Sequence, residues 1–151
     1  MKLVKKPHKP LKECKLIKNK TIGALSFDLQ QTLPTPKLST GLQFYKRKLW
    51  TYNFCVHDIK TEGATMYLWN ETQGKRGSAE IVSCLNHYIT NYIDTDVKTL
   101  KLFSDNCSDQ NKNINIVLTC LQQIHKGRFS KIEHFLWFLV ILTCHVIETL
   151  E

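Results

Sequence analysis

The strongest constraint on the fold is a short apolar run that ends on a carboxylate, in the sequence LKLFSDNCSDQNKN over residues 100–113. Leu100 to Phe103 has the apolar content of a buried strand, and Ser104-Asp105 opens a polar, turn-rich segment before a helical pattern. A carboxylate at the carboxyl end of a buried strand often takes part in chemistry in α/β proteins. The alternative, that Asp105 caps the following helix, is equally compatible with an isolated Ser-Asp-Asn.

Asp28 has a comparable position in a second apolar run. Residues Ile22–Gln30 read IGALSFDLQ, and Asp28 interrupts their strand-like pattern near its end. A charged residue in such a strand is costly to bury unless something pairs with it. Two strands that each carry an aspartate at this point therefore favour a shared site over a helix cap at Asp105.

The composition describes a folded, basic chain. Its 151 residues suffice for one domain with a buried core, and 42% of them are apolar. The net charge of +8 and the pI of about 9.2 favour an anionic partner, usually nucleic acid. The alternative is a solvated basic arm, because much of the positive charge lies within residues 1–21, which Pro7 and Pro10 interrupt. That arm is predicted to be flexible or extended.

The cysteines indicate an intracellular protein. Six are scattered through the chain without a CxxC motif, and no histidine pair has zinc-site spacing. The first residues, MKLVKKPHKPLKECK, lack the apolar segment of a secretory signal. Reduced thiols and an intracellular location are therefore expected, with the nucleus favoured if DNA is the partner.

The spacing of apolar residues predicts an α/β domain with the order β-β-β-α-β-α. The predicted elements are strands at residues 22–30, 50–59, 64–70 and 99–103 and helices at residues 78–93 and 109–125, with an irregular connector at 31–41. Ser78 is predicted to cap the first helix and Gly127 to end the second. The first three strands should form an antiparallel meander. Since crossovers are right-handed, the fourth strand should lie beside the first and parallel to it, which brings Asp28 and Asp105 together.

Asp28 and Asp105, when adjacent, form a pair of like charges. Each raises the pKa of the other unless a cation lies between them, and Mg²⁺ or Mn²⁺ prefers such oxygen ligands. Two ions about 3.5–4 Å apart can polarise a phosphodiester and activate a water or a 3′-hydroxyl. Glu80, in the first turn of the first predicted helix, is a candidate third ligand. The alternative for Glu80 is a favourable charge at the helix N-terminus.

Four strings of the sequence carry a resemblance to a protein family: FDLQQTLPTPKL, FYKRKLWTYNF, GKRGSAEIVSCL and FSDNCSDQNKN. Over about residues 22–133 the chain resembles a transposon-derived RNase H-like domain of many animal genomes, related to the DDE transposases. In ribonuclease H enzymes the metal ligands are an aspartate in the first strand, a glutamate in the first helix and an aspartate ending the fourth strand. The resemblance implies an RNase H-like fold, metal-dependent phosphodiester cleavage or strand transfer on DNA, and Asp28, Glu80 and Asp105 as catalytic metal ligands.

The sequence after His134 departs from that family pattern. RNase H-like enzymes carry a last acid after a fifth strand, whereas residues 135–151 read FLWFLVILTCHVIETLE. This apolar tail falls short of the roughly 20 residues of a membrane span, so a buried strand or helix is favoured. Back-translation of residues 137–151 with chosen codons gives, in another frame, VSGHSYMSRDRDFG, which resembles the family's continuation. A frameshift near residues 135–137 is therefore expected, with residues 22–134 as a partial domain.

Basic residues in two segments are candidates for contacts with DNA phosphates. They are Lys46, Arg47, Lys48, Lys75 and Arg76. Contact is favoured most for Arg47 and Arg76, and a solvated surface cluster is the alternative for all of them. Nearby aromatic residues, among them Trp50 and Trp69, could stack on bases or belong to the core.

Other chemistry-bearing residues have simpler explanations. His57 and Asp58 are neighbours on a strand, where side chains point to opposite faces. Cys107 has no histidine placed to activate it, and Asp109 is favoured as a helix cap over an accessory metal ligand.

Two classes of function remain open. One is a metal-dependent nuclease or transposase, and the other is a non-catalytic remnant that binds nucleic acid or protein. A membrane anchor formed by the apolar tail is a weaker third interpretation, and no membrane association is expected.

Overall fold

The computed structural model describes residues 20–35, 48–105, 113–136 and 140–145. Within these ranges the strands are β1 (Ile22–Leu29), β2 (Leu33–Thr35), β3 (Leu49–Asp58), β4 (Ala64–Asn70), β5 (Thr99–Ser104), β6 (Lys131–Leu136) and β7 (Val140–His145), and the helices are α1 (Ser78–Tyr92) and α2 (Ile114–His125). The chain is a mixed α/β domain. Most of the predicted basic arm lies outside the described residues.

All of these strands belong to one mixed sheet. Its order is β2-β3-β1-β5-β6-β7, and β4 pairs with the remaining side of β3. β1, β3 and β4 form the predicted antiparallel meander. β5 lies beside β1 and parallel to it, with Ile22 opposite Thr99 and Ser26 opposite Phe103, so the predicted crossover is confirmed. β6 adds a further parallel strand, and β7 closes that side as an antiparallel partner of β6.

β2 corrects the prediction of an irregular connector at residues 31–41. Leu33 pairs with Thr51 and Thr35 with Leu49 on the same side of β3 as β1, so β2 prolongs β1 after a short break. Pro34 cannot donate a ladder hydrogen bond, which made a strand improbable from the sequence; the short outer position of β2 accommodates it. Residues 36–47 lie outside the described part of the chain.

The apolar tail contributes backbone to the sheet. The predicted boundary between residues 134 and 135 falls inside β6, and β7 lies within the segment assigned to a frameshift. Residues 137–139 and 146–151 are outside the described ranges.

The main core fills the space between one face of the sheet and both helices. Alternate residues of β1, namely Leu25, Phe27 and Leu29, point into it, because successive strand residues face opposite sides. It also includes Tyr52, Phe54, Val56, Ile81, Leu85, Tyr88, Ile89, Val97, Leu100, Leu102, Ile116, Cys120, Ile124, Phe129 and Ile132. The other face carries a small cluster of Ala24, Ile59 and Phe103, with Phe135 packed against it. Asp28 belongs to this second face.

The helix termini differ from the prediction at their N-terminal ends. Gly77, not Ser78, is the N-cap of α1 and makes no side-chain capping bond; the Ser78 hydroxyl is buried and accepts a hydrogen bond from Asn115 Nδ2 at 2.8 Å. Asn113 caps α2 by accepting a hydrogen bond from the Asn115 amide at 3.0 Å. Asp109, where the sequence predicted that start, lies outside the described residues.

Gly127 ends α2 as predicted. Its φ of +69° is the left-handed conformation that favours glycine. The Gly127 amide donates to Ile124 O at 2.8 Å and the Arg128 amide to Gln123 O at 3.1 Å, which is the Schellman pattern.

Candidate metal site

The parallel pairing of β1 and β5 brings Asp28 and Asp105 to neighbouring positions. Asp28 is the penultimate residue of β1, and Asp105 directly follows β5. Ser26 lies opposite Phe103, so two residues further along the same register Asp28 meets Asp105. Asp28 is solvent-exposed while its neighbours Phe27 and Leu29 are buried, which places its carboxylate on the face away from the helices.

The surroundings of Asp28 disfavour the charged form of its carboxyl group. Partial burial raises its pKa above the ordinary value, and the nearby Asp105 charge raises it further. A hydrogen bond from the Leu29 amide acts in the opposite direction and lowers it. A cation bound between the two carboxylates would remove the repulsion and favour both charged forms.

Cys55, a residue of β3, lies beside Asp28 of β1. The two residues are cross-strand partners, and burial together with the Asp28 charge raises the pKa of the Cys55 thiol. Among the described residues, no group of three or more His, Cys, Asp and Glu side chains is arranged to hold a metal ion. The described part of the site is therefore a pair of carboxylates.

Glu80 is engaged with the loop between β4 and α1. Its Oε1 accepts a hydrogen bond from the Lys75 amide at 2.8 Å. A Cβ on Gly74 would meet Glu80 Cγ and Trp69 Cδ1, each at 3.2 Å, so that glycine allows a close approach. The structure does not bring Glu80 into a three-ligand group with Asp28 and Asp105. The role of Glu80 as a metal ligand stays a prediction.

We expect Glu80→Ala to lower the free energy of unfolding by about 1 kcal/mol, because the Lys75 amide loses its charged acceptor. Glu80→Gln retains an acceptor oxygen and should cost clearly less. Urea unfolding of the two variants measures the difference. Mn²⁺ binding is measured on the same two variants. A loss of Mn²⁺ binding in Glu80→Gln with unchanged stability would instead make Glu80 a metal ligand.

The predicted phosphate-contacting residues are only partly described. Lys46 and Arg47 lie outside the described residues, whereas Lys48, Lys75 and Arg76 are exposed. Thr51 pairs with Asn70, so the start of β3 and the end of β4 lie together. β3 runs antiparallel to β1, and this end of the sheet therefore also carries Asp28. The three exposed basic residues thus lie toward the end of the sheet at which β1 finishes.

A buried polar pair, Ser104 and His134, was missed by the sequence analysis. Ser104 Oγ and His134 Nε2 are 2.8 Å apart, and both side chains are buried. Burial lowers the pKa of His134 to about 4, so the ring is neutral at pH 7. The available signal was the alternation in KIEHFL, which puts His134 on the same face as Ile132 and Leu136.

Of the remaining sequence candidates, the described part of the chain gives Asp58 a structural role. Asp58 Oδ1 accepts the Lys60 amide at 2.8 Å, which makes it a turn-stabilising acceptor. Cys107 and Asp109 are outside the described residues.

Comparison with protein-family models, with curated proteins and with solved structures gave no match. In the described parts of the chain, no helix combines the length and the apolar character that crossing a membrane requires.

Proposed function

We propose that this chain is a transposon-derived RNase H-like domain whose Asp28 and Asp105 bind Mg²⁺ or Mn²⁺ for phosphodiester cleavage or strand transfer on DNA. The observation that carries the proposal is the pair of aspartates at the carboxyl ends of two adjacent parallel strands. The order of elements supports it. An antiparallel meander, a helix, a parallel strand beside the first and a second helix follow one another as the RNase H-like resemblance implies.

The donor set suits a hard divalent cation. Two carboxylates supply oxygen ligands, and Mg²⁺ commonly binds through one or two carboxylates while keeping waters and phosphate oxygens in its other positions. When bound, such an ion supplies charge neutralisation for a reacting phosphodiester. The chain's own residues position the ligands: the β1–β5 ladder holds Asp28 beside Asp105, at the carboxyl ends of two central strands of the sheet.

DNA is the proposed partner because the candidate metal site and the positive net charge of the chain both suit a polymer of phosphodiesters. The net charge of +8 favours a polyanion, and Lys48, Lys75 and Arg76 are exposed at the same end of the sheet as Asp28. Affinity that depends on such phosphate contacts falls as salt rises, because bound counter-ions are released from the DNA. A nuclear location is proposed as the consequence of this partner.

We expect Mn²⁺ to raise the melting temperature of the wild-type chain, because the ion binds the folded state and relieves the Asp28–Asp105 repulsion. At an ion concentration of 100 times Kd, the gain in stability is about 2.7 kcal/mol. Asp28→Asn and Asp105→Asn should each abolish the shift. Differential scanning calorimetry with and without Mn²⁺ measures it.

Asp94→Asn provides the matched control for this experiment. Asp94 is an exposed acid that precedes β5, at the opposite end from Asp105. It should retain the full Mn²⁺ shift. A wild-type melting temperature indifferent to Mn²⁺, or an equal loss in the Asp94→Asn variant, would contradict a metal site at Asp28 and Asp105.

A second candidate function is a non-catalytic remnant that binds nucleic acid or protein. It is favoured by the limited donor set, since the described residues hold no three-ligand group. This candidate predicts salt-sensitive DNA binding that persists in EDTA, with no cleavage in Mn²⁺. Fluorescence anisotropy with a labelled duplex, followed by a gel assay for nicking of plasmid DNA, separates the two functions.

A further inference from the structure

His134 lies on the helix-covered face of the sheet, opposite the face that carries Asp28 and Asp105. It lies on β6 with its side chain in the main core, and only 3% of the residue is exposed. On one side, its Nε2 is 2.8 Å from Ser104 Oγ. On another, its ring stacks on Phe27, with centroids 5.7 Å apart and planes inclined by 30°.

Both contacts fall on residues next to the aspartates. Phe27 directly precedes Asp28, and Ser104 directly precedes Asp105. Neighbouring strand residues point to opposite faces, so the core side chains Phe27 and Ser104 share their backbone with the two acidic residues. A single histidine therefore contacts both strand ends that carry the carboxylates.

The hydrogen bonds continue to the backbone of Asp105 itself. The Ser104 hydroxyl donates to the Asp105 carbonyl at 3.2 Å. With the single hydroxyl proton directed at the Asp105 carbonyl, His134 donates from Nε2 to Ser104 Oγ. These two hydrogen bonds connect the imidazole to the Ser104 hydroxyl and the hydroxyl to the Asp105 carbonyl. They fix the point at which β5 ends.

We propose that His134 is a positioning residue that holds the carboxyl ends of β1 and β5 together and thereby sets the spacing of Asp28 and Asp105. This inference rests on the proposed function, because it takes Asp28 and Asp105 as the metal ligands. His134 contacts no ligand atom itself. It acts through Phe27 and Ser104, as groups behind the ligands of a metal site commonly do.

The choice of residue types supports a positioning role over simple core filling. A buried imidazole and a buried hydroxyl are costly unless they bond to each other, and two apolar residues would fill the same space without that requirement. Directional hydrogen bonds instead specify one register of β5 against β6. On the other face of the sheet, Phe103 of β5 and Phe135 of β6 stack with centroids 4.9 Å apart and an interplanar angle of 11°. The carboxyl ends of β5 and β6 are therefore in contact on both faces of the sheet.

The decisive variant replaces both polar partners at once. His134→Leu combined with Ser104→Ala leaves neither group unsatisfied, so the double variant should fold with a stability close to that of the wild type. It removes the tie to Asp105. We expect its Mn²⁺ dissociation constant, measured from the EPR signal of the free ion, to rise about 10–100-fold. The single variant His134→Gln, which retains a donor group beside Ser104, should bind Mn²⁺ more tightly than the double variant and less tightly than the wild type.

Amide hydrogen exchange supplies a second readout that needs no metal. In the double variant, exchange should accelerate about tenfold at the carboxyl ends of β1 and β5, around Leu29 and Ser104. The opposite ends, around Gly23 and Leu100, serve as the internal control and should keep their wild-type rates, whereas general destabilisation would accelerate both ends equally.

The outcomes separate this inference from the proposed function. A wild-type chain that does not bind Mn²⁺ removes the metal site, and the exchange pattern alone then decides whether His134 holds the strand ends. Wild-type Mn²⁺ affinity in the double variant would overturn the positioning role while leaving the metal site intact. Uniform exchange along both strands would overturn it as well.

Discussion

Replacing Phe54 with alanine is expected to lower the free energy of unfolding by about 3–5 kcal/mol. Phe54 is fully buried in the middle of β3, the strand that joins β1 to β4. Its ring packs against Phe27 at a centroid distance of 5.9 Å and against Tyr67 at 6.4 Å. Truncation removes apolar surface from the core and leaves a cavity among three strands, which the surrounding sheet cannot fill.

Leu68→Ala is the matched control for Phe54→Ala. Leu68 lies on β4, the strand that pairs with β3, but it is 66% exposed and points away from the helices. Its truncation should change the free energy of unfolding by no more than about 0.5 kcal/mol. Urea denaturation followed by circular dichroism measures both variants. Equal losses in the two would show that the helix-covered face is not the main core.

Acidification is expected to destabilise the chain between about pH 6.5 and pH 4 because of His134. Burial lowers the pKa of this histidine to about 4, whereas in the unfolded chain it titrates near 6.5. The unfolded state therefore binds the proton first as the pH falls. The stabilisation by the neutral ring is fully present above pH 6.5 and lost progressively down to the folded-state pKa. The difference corresponds to about 3 kcal/mol.

The His134→Gln variant isolates this contribution. Urea unfolding at a series of pH values should give a wild-type stability that falls more steeply below pH 6.5 than that of the variant. Asp28 acts in the opposite direction, because its raised pKa makes the folded state bind a proton more readily than the unfolded state. The comparison must therefore be made as the difference between wild type and His134→Gln. Parallel pH profiles would contradict a buried, neutral His134.

The two experiments on His134 bear on different properties of one residue. The pH series measures the cost of a charge in the core, and the Mn²⁺ series measures the position of Asp105. A protonated His134 would still donate to Ser104, but the charge would lie in an apolar environment beside Phe27. Mn²⁺ affinities are therefore best measured near pH 7, where the ring is neutral.

The pairing of Asp28 with Asp105 could be predicted because its causes are local or general. The alternating pattern of β1 and the apolar run of β5 are properties of short segments, and the chirality of crossover connections holds for almost all proteins. These causes predict that β1 and β5 lie side by side, with Asp28 and Asp105 at the carboxyl ends of the two strands. The end of α2 at Gly127 was equally local, since a left-handed residue favours glycine.

Other features depended on contacts that no local pattern specifies. Helical spacing shows that Glu80 is off the apolar face of α1, but only the packing of the loop at Gly74 decides that its carboxylate binds the Lys75 amide. β2 exists because β3 offers it backbone partners, although Pro34 argues against a strand.

His134 illustrates the division most clearly. The sequence by itself determined a strand pattern in KIEHFL and the order of elements around it, because alternation and chain connectivity are encoded in neighbouring residues. Only the tertiary structure decided that the histidine meets Phe27 and Ser104, residues that are 107 and 30 positions away along the chain. Such a contact follows from the register of three strands, and register is set by the whole sheet.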